Sequence, residues 1–502
     1  MALGQQLIKN VFSSWAGYLI RIIITFFFVP YITAAYGDAR YGVWVIIFQT
    51  INYFSLLDVG MSSALMRYIS RFLSRRDYPA INRVLGTSNL LYFAVGTVAF
   101  GGIYLFALFL FDYFKIGDPA LVEEGRSALM LLAVYSAFSF YLLPSGNSLS
   151  AFQRHDIVRF LAVVEEVVRV LIMVWLIKSG YGLVSLVLVI LAMSILKHLA
   201  GNLWLRKLHR EVRFSPKLAE RDTAAMLLKY SRVSFGITVG WLVIFNTDTF
   251  LLGMLTSSAA AGIFNPAAQL MLYLRNVVGG IGTPLVPVIS HLESEDRWDH
   301  IREIYLKGLK YVSFASFFLT TGVLLYARPF VDLWLAPEFA ESATAMMILS
   351  VGTAIFLPQI IGNSVLFGVE KHRYILQVLI FEVAAKIILA VALVPRYGII
   401  GMAIANAAPQ VIFYLTLYPA YMARVLGLQY GLILWTGLKA GLPAAAVTLA
   451  SGWLMLELVP PGDWSLFACN LLIVTAVVAI PGFMIIEPDD RARVRERFGR
   501  GK

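Results

Sequence analysis

Asn147-Ser148, followed by Arg154-His155, closes one apolar stretch of this chain, and Asn363-Ser364, followed by Lys371-His372, closes another about 216 positions later. Working outward, Glu165-Glu166-Val167-Val168-Arg169 answers to Glu382-Val383-Ala384-Ala385-Lys386. Each run sets an acid four residues before a base and leads to a Tyr-Gly pair, Tyr181-Gly182 or Tyr397-Gly398. Nearer the start, Lys9, Ser14, Gly42, Gln49, Tyr53 and Ser70 pair at an offset of about 220 with Lys229, Ser234, Gly262, Gln269, Tyr273 and Ser290. Self-similarity at a fixed offset marks a duplicated structural unit.

Composition says what is duplicated. Of 502 residues, 59% are hydrophobic and 14% charged, and the mean hydropathy is +0.76; a soluble core cannot hide that much apolar side chain. A helix crosses a hydrocarbon layer of roughly 30 Å with about 20 apolar residues, because backbone polar groups in lipid must be satisfied within the segment. The weak ten-residue alternation of a membrane β-barrel is absent. The expected fold class is therefore all-α integral membrane, with fourteen spans. Two pseudo-symmetric six-helix lobes, residues 1–205 and 233–424, flank a basic cytoplasmic linker, 206–232. An extra helix pair and basic tail follow over 425–502. An even number of spans per copy keeps both copies in one orientation, the parallel-repeat construction of secondary transporters.

The formal net charge of +11 sorts by side of the membrane and calls for no nucleic acid. Arg67, Arg71, Arg75, Arg76 and Arg83 follow span two; Arg206, Lys207, Arg210, Arg213, Lys217 and Arg221 follow span six. Arg297, Arg302, Lys307 and Lys310 follow span eight, Lys371 and Arg373 follow span ten, and six more lie in the tail from Arg491 to Lys502. The opposite loops hold only Arg40, Lys115, Arg126, Lys178, Arg328 and Arg396. The positive-inside rule then puts both termini in the cytoplasm. The first apolar segment is too long for a cleaved signal and is expected to stay as the first helix. Cys469 stands alone, which excludes an internal disulfide, and the six histidines lack metal-ligand spacing. With no phosphate-cradling Gly-rich loop either, neither an enzyme nor a cofactor is expected.

Charge at membrane depth costs about 2.5–3.5 kcal/mol per residue on insertion scales, so such groups face a cavity or a partner. Arg21 shares a helix face with Ser14, Tyr18 and Thr25. It reads either as a fixed cation receiving an anionic headgroup or as half of an internal ion pair with an acid such as Asp58. Arg275 sits mid-span before Gly279, Gly280, Gly282, Pro284 and Pro287, where the helix can bend. Glu165 with Arg169 and Glu382 with Lys386 have the spacing of structural ion pairs on one helix face, with sugar or cation binding as the alternative. Asp58 is a candidate counter-ion or gate. Asp248, beside Asn246 and Thr247, is a candidate site for a coupling Na⁺ or H⁺, or else a carboxylate hydrogen-bonded across helices.

These features resemble the multidrug/oligosaccharidyl-lipid/polysaccharide exporter superfamily, and within it the polysaccharide transporter family of O-antigen and exopolysaccharide repeat-unit flippases. The residues that carry the resemblance begin with Asn10, Trp15, Pro30, Gly37, Tyr41-Gly42, Leu57-Asp58-Val59-Gly60 and Arg67-Tyr68. Pro287, Ser290, the run Gly368 to His372, and the series Glu382, Lys386, Tyr397-Gly398 and Gly401 continue it. The resemblance implies cavity arginines on the first and eighth helices, and Arg21 and Arg275 occupy similar positions. A pyrophosphate offers several acceptor oxygens, and guanidinium forks bind such oxygens in pairs.

The expected function is alternating-access flipping of a polyprenyl-pyrophosphate-linked oligosaccharide across the bacterial inner membrane, for cell-surface polysaccharide. The partners expected are that lipid-linked substrate, membrane lipids, and the polysaccharide polymerase and chain-length machinery. A cation-coupled multidrug exporter and a lipid II flippase of the same superfamily are the alternatives. A membrane polymerase or ligase is disfavoured because the longest outer connection, 112–126, is short.

Overall fold

The computed structural model describes the backbone of residues 2–485 apart from 59–60, 74, 153, 210, 213–214, 283–284 and 372. Within that stretch it describes all side chains but those of 2–21, 55–56, 63, 145, 155 and 229–238. The basic tail, Gly60 and the side chain of Arg21 thus lie outside the described residues. Those described form helices joined by short turns, with no strand among them.

In chain order the helices are α1 (Ala2–Ser55), α2 (Met61–Leu73), α3 (Tyr78–Leu105), α4 (Pro119–Ala151), α5 (His155–Lys178), α6 (Leu183–Leu208), α7 (Arg221–Leu255) and α8 (Ser258–Gly282). Then come α9 (Leu285–Ser294), α10 (Trp298–Trp334), α11 (Ala340–Phe356), α12 (Gln359–Gly368), α13 (Arg373–Leu415), α14 (Leu417–Leu426), α15 (Tyr430–Leu458) and α16 (Trp464–Ile485). Among the described residues ten segments are long and apolar enough to cross a membrane. Fourteen spans were expected, and local features account for the difference. Gly37, at φ 73°, divides α1, and Gly398, at φ 52°, divides α13, so each merged segment holds two expected spans. Glycine takes such angles without a Cβ clash. Helix α5 carries Glu165, Glu166 and Arg169, and the apolar part of α7 is short, Val239–Leu255.

Local chemistry sets several boundaries. Asp77 and Asp118 cap α3 and α4, accepting from the backbone N–H of Ala80 at 3.0 Å and of Ala120 at 2.9 Å, and each helix has proline in its first turn. Gly427, left-handed at φ 64°, ends α14. Many large apolar side chains are exposed on helix flanks, such as Phe27, Ile388 and Leu472 at about 70%; lipid solvates such surfaces where water would not.

The chain divides into two compact units, Met1–Gly262 and Ile263–Lys502. This boundary falls within α8 rather than in the basic stretch 206–232, because α7 packs on α1, α2 and α3. The linker is itself strapped to α3: Asn82 Nδ2 donates to the Glu211 carbonyl at 2.9 Å, and Thr87 Oγ1 accepts from the Glu220 N–H at 3.0 Å. In the first unit a core of Ala64, Leu65, Ile69, Leu85, Leu149 and Leu205 joins α2, α3, α4 and α6. In the second, Tyr326, Met455, Phe467 and Val474 join α10, α15 and α16.

Two contacts of the first unit carry predictions. A Cβ on Gly42 would lie 1.8 Å from the Ser258 carbonyl oxygen, and one on Gly262 would lie 2.9 Å from the Gly42 nitrogen. The glycines paired by the repeat thus meet backbone to backbone, as small residues do where membrane helices approach closely. Gly42→Ala is expected to destabilise by at least about 1–3 kcal/mol, the usual cost of overpacking, measured as a lower thermal unfolding midpoint in detergent. At the loop end of the same unit, Glu124 accepts from Arg40 Nη2 at 2.6 and 2.7 Å and from the Leu183 N–H at 2.6 Å. Glu124→Ala strands both donors and should cost about 1.5–3 kcal/mol; Glu124→Gln, which keeps an acceptor, should cost less in the same melt.

Candidate functional site

Buried polar groups concentrate at three places. The first lies in the second unit, where Glu382 and Lys386, one turn apart on the first half of α13, are each only 2% exposed. The Tyr414 hydroxyl donates to Glu382 Oε2 at 3.0 Å, and Gln410, on the same face as Tyr414, hydrogen-bonds the carboxylate as well. Lys386 and, from α8, Arg275 both stand close enough to act electrostatically on it. The Arg275 guanidinium also lies 5.7 Å from the centre of the Phe356 ring, in cation–π range. Gln410 Nε2 continues the network to Asn406 Oδ1 at 3.3 Å.

Burying an ion costs several kcal/mol after relaxation, and only close partners with further hydrogen bonds return it. Here two bases stand against one acid. Arg275 is half-buried, where Glu382 and Lys386 are nearly sealed. A cation held by fixed neighbours and partly open is suited to an anionic group.

The second place joins α5 and α6. Arg169 Nε lies 3.0 Å from Glu165 and Nη2 2.8 Å from Glu166, while Lys197 Nζ approaches Glu165 at 3.5 Å. Two acids meet two bases, so this cluster is balanced. Helical spacing brings both Glu165 and Glu166 to Arg169, four and three residues on; only the partner on α6, Lys197, enters through packing.

The third surrounds Asp58, on the short turn Leu56–Asp58 between α1 and α2. Its Oδ1 accepts from the Ser62 N–H at 3.2 Å, from the Ser62 hydroxyl at 3.0 Å and from the Tyr92 hydroxyl of α3. Ser62 Oγ in turn accepts from Asn147 Nδ2 of α4 at 2.8 Å. The asparagine of the repeat motif is therefore a tie between helices, and its counterpart does similar work: Asn363 Oδ1 accepts from the Tyr418 hydroxyl at 2.8 Å.

Asp248 is 3% exposed on α7, where it acts electrostatically on Tyr53 of α1. Its sequence neighbours are engaged elsewhere. Asn246 Nδ2 donates to the Leu242 carbonyl at 3.2 Å, and the Thr247 hydroxyl donates to the Val243 carbonyl at 2.6 Å while accepting from Tyr53. Tyr53 thus stands against both Thr247 and Asp248, while the Asn246 amide turns back to its own helix. No group of three or more metal-ligating side chains occurs among the described residues.

The family model described as "Polysaccharide biosynthesis protein" matches residues 7–293. The chain belongs to that family. It is 22% identical to the Bacillus subtilis membrane protein EpsK, over 98% of both chains. It is 23% identical to the Haloferax volcanii protein named "Probable flippase AglR", over 79% of this chain and 78% of that one. Among solved structures, "Lipid II flippase MurJ, inward closed conformation" superimposes with a TM-score of 0.73 at 15% identity, covering 94% of this chain and 97% of the other. An inward-facing multidrug resistance transporter of the MATE family superimposes with a TM-score of 0.69 at 14% identity, covering 82% and 99%. The fold is thus that of the multidrug/oligosaccharidyl-lipid/polysaccharide exporter superfamily, and the chain is a multi-pass membrane protein.

Proposed function

We propose that this protein is a flippase that carries a polyprenyl-pyrophosphate-linked oligosaccharide from the cytoplasmic to the outer leaflet of the cytoplasmic membrane by alternating access. Membership of a polysaccharide biosynthesis family and the fold shared with lipid flippases support the general reading. The observation that carries the substrate class is Arg275, a half-buried guanidinium set among Glu382, Lys386 and Phe356. Guanidinium suits a pyrophosphate because its planar fork donates in pairs to neighbouring oxygens. Arg21, on α1, is assigned the same role from its place in the sequence. Both termini lie in the cytoplasm in this reading, in keeping with the sidedness of the basic loops.

The test is direct. The purified protein is reconstituted in liposomes containing a fluorescent polyprenyl-pyrophosphate oligosaccharide, and translocation is followed by a membrane-impermeant quencher. Protein-dependent exchange of the pyrophosphate lipid between leaflets, at a rate well above that of the monophosphate analogue, is expected. Equal rates for the two lipids, or none for either, would remove the assignment.

A further inference from the structure

We infer that one ordered water binds in a small cavity of the second unit, where it bridges Ser313 of α10 to Gln359 of α12 against helix α15. The cavity has a volume of about 30 Å³. A buried water needs on the order of 10–15 Å³ and at least two polar partners, so the space suits water and is too small for an organic ligand. Most of the wall is apolar, with Leu309, Phe317, Ile355 and Leu438 among its side chains, and Gly437 contributes no side chain from α15.

Two atoms select the guest. Ser313 is 1% exposed and Gln359 6%, yet Ser313 Oγ and Gln359 Oε1 have no hydrogen-bond partner, and they do not bond each other. A buried polar atom left in that state bears its full desolvation cost. The amide oxygen can only accept, whereas the serine hydroxyl can donate or accept. A molecule between them must therefore give a proton to Gln359 while exchanging a hydrogen bond with Ser313, as water does. No charged side chain lines the cavity, so an ion there would be buried without a counter-charge.

The place of the bridge gives it a consequence. Gln359 is a junction: its Nε2 donates to the Tyr414 carbonyl at 3.5 Å, and its main-chain carbonyl lies 3.3 Å from the Tyr418 hydroxyl. Tyr414 in turn donates to Glu382. These contacts join α12, α13 and α14, and the water adds α10 to them. Helix α10 also packs along α15, and a Cβ on Gly437 would lie 3.2 Å from Ser313 Oγ. The water thus sits at the seam where the C-terminal helix pair meets the rest of the second unit. Its binding does not rest on the flippase reading.

The experiment is X-ray radiolytic footprinting of the full chain in detergent, with no lipid-linked substrate. Radiolysis turns a bound water into hydroxyl radicals, which oxidise the side chains beside it, and mass spectrometry reads the products. Tyr414 lines the cavity and is 2% exposed, while Phe339 is 0% exposed and does not line it. Oxidation of Tyr414 at least tenfold faster than that of Phe339 is expected in the wild type. Replacing both partners, Ser313→Ala with Gln359→Leu, should abolish that excess in protein whose unfolding temperature shows it to be folded. Equal rates at Tyr414 and Phe339 in the wild type overturn the inference, as does an excess that survives the double replacement. A high-resolution cryo-EM map of the wild type is the second measurement and needs no variant. Density within hydrogen-bond distance of both Ser313 Oγ and Gln359 Oε1 supports the bridge, and a direct bond between those two atoms overturns it.

Discussion

Arg275→Ala is expected to slow translocation of the pyrophosphate-linked oligosaccharide at least tenfold while leaving the protein in the membrane at its normal level. The size follows from what the side chain offers. A charge-assisted hydrogen bond is worth about 1.5–3 kcal/mol, and every 1.4 kcal/mol or so is a factor of ten. Arg275→Lys keeps the charge but not the fork, so it should recover only part of the rate. Because Arg275 also adjoins Glu382, the rate is measured on protein whose unfolding temperature has been recorded. Full activity in Arg275→Ala, with Arg21 intact, would show that this guanidinium does not meet the substrate. Loss for the pyrophosphate lipid with unchanged exchange of a monophosphate lipid would locate the effect at the headgroup.

The second large effect is one of stability. Glu382→Ala should lower the free energy of unfolding by about 3–5 kcal/mol, since removing one member of a buried ion pair leaves the other charged and unpartnered. Lys386 is as deeply buried as the glutamate, and Arg275 acts electrostatically on the same carboxylate. Removing the carboxylate therefore takes the acid from two bases and the acceptor from the Tyr414 hydroxyl. The double replacement Glu382→Gln with Lys386→Met removes acid and base together and should restore much of the loss. Thermal or denaturant unfolding of the single and double variants in detergent checks this. A single variant within 1 kcal/mol of wild type, at roughly the scale of an exposed pair, would mean that the pair adds little to the fold.

Several features were legible before folding because they are local or periodic. The runs Glu165 to Arg169 and Glu382 to Lys386 fall one helical turn apart, so their spacing alone brings acid and base together. Gly398 could be read as a break because a Tyr-Gly pair interrupts an apolar run, and its positive φ supplies the break. In the first copy the left-handed angle instead falls on Gly180, two residues ahead of Gly182; both positions are glycine, and pattern alone does not choose between them. Asn246, Thr247 and Asp248 show the opposite limit. As neighbours in sequence they suggested one site; Thr247 and Asp248 both meet Tyr53, while the Asn246 amide is spent on the Leu242 carbonyl.

Composition determined on its own that this is a helical membrane protein; the internal repeat and the sidedness of Lys and Arg are expectations from the sequence. The compositional signal survives any detail of packing, since lipid imposes the same requirement on every spanning segment. Only the tertiary structure brought Tyr92 to Asp58, Asn147 to Ser62, Lys197 to Glu165, and Arg275 and Tyr414 to the Glu382 carboxylate. Those partners lie on separate helical segments, from about 30 to more than 100 residues apart. Their meeting depends on helix rotation and axial offset, quantities set by the close packing of whole helix faces and not encoded in the spacing of any one segment.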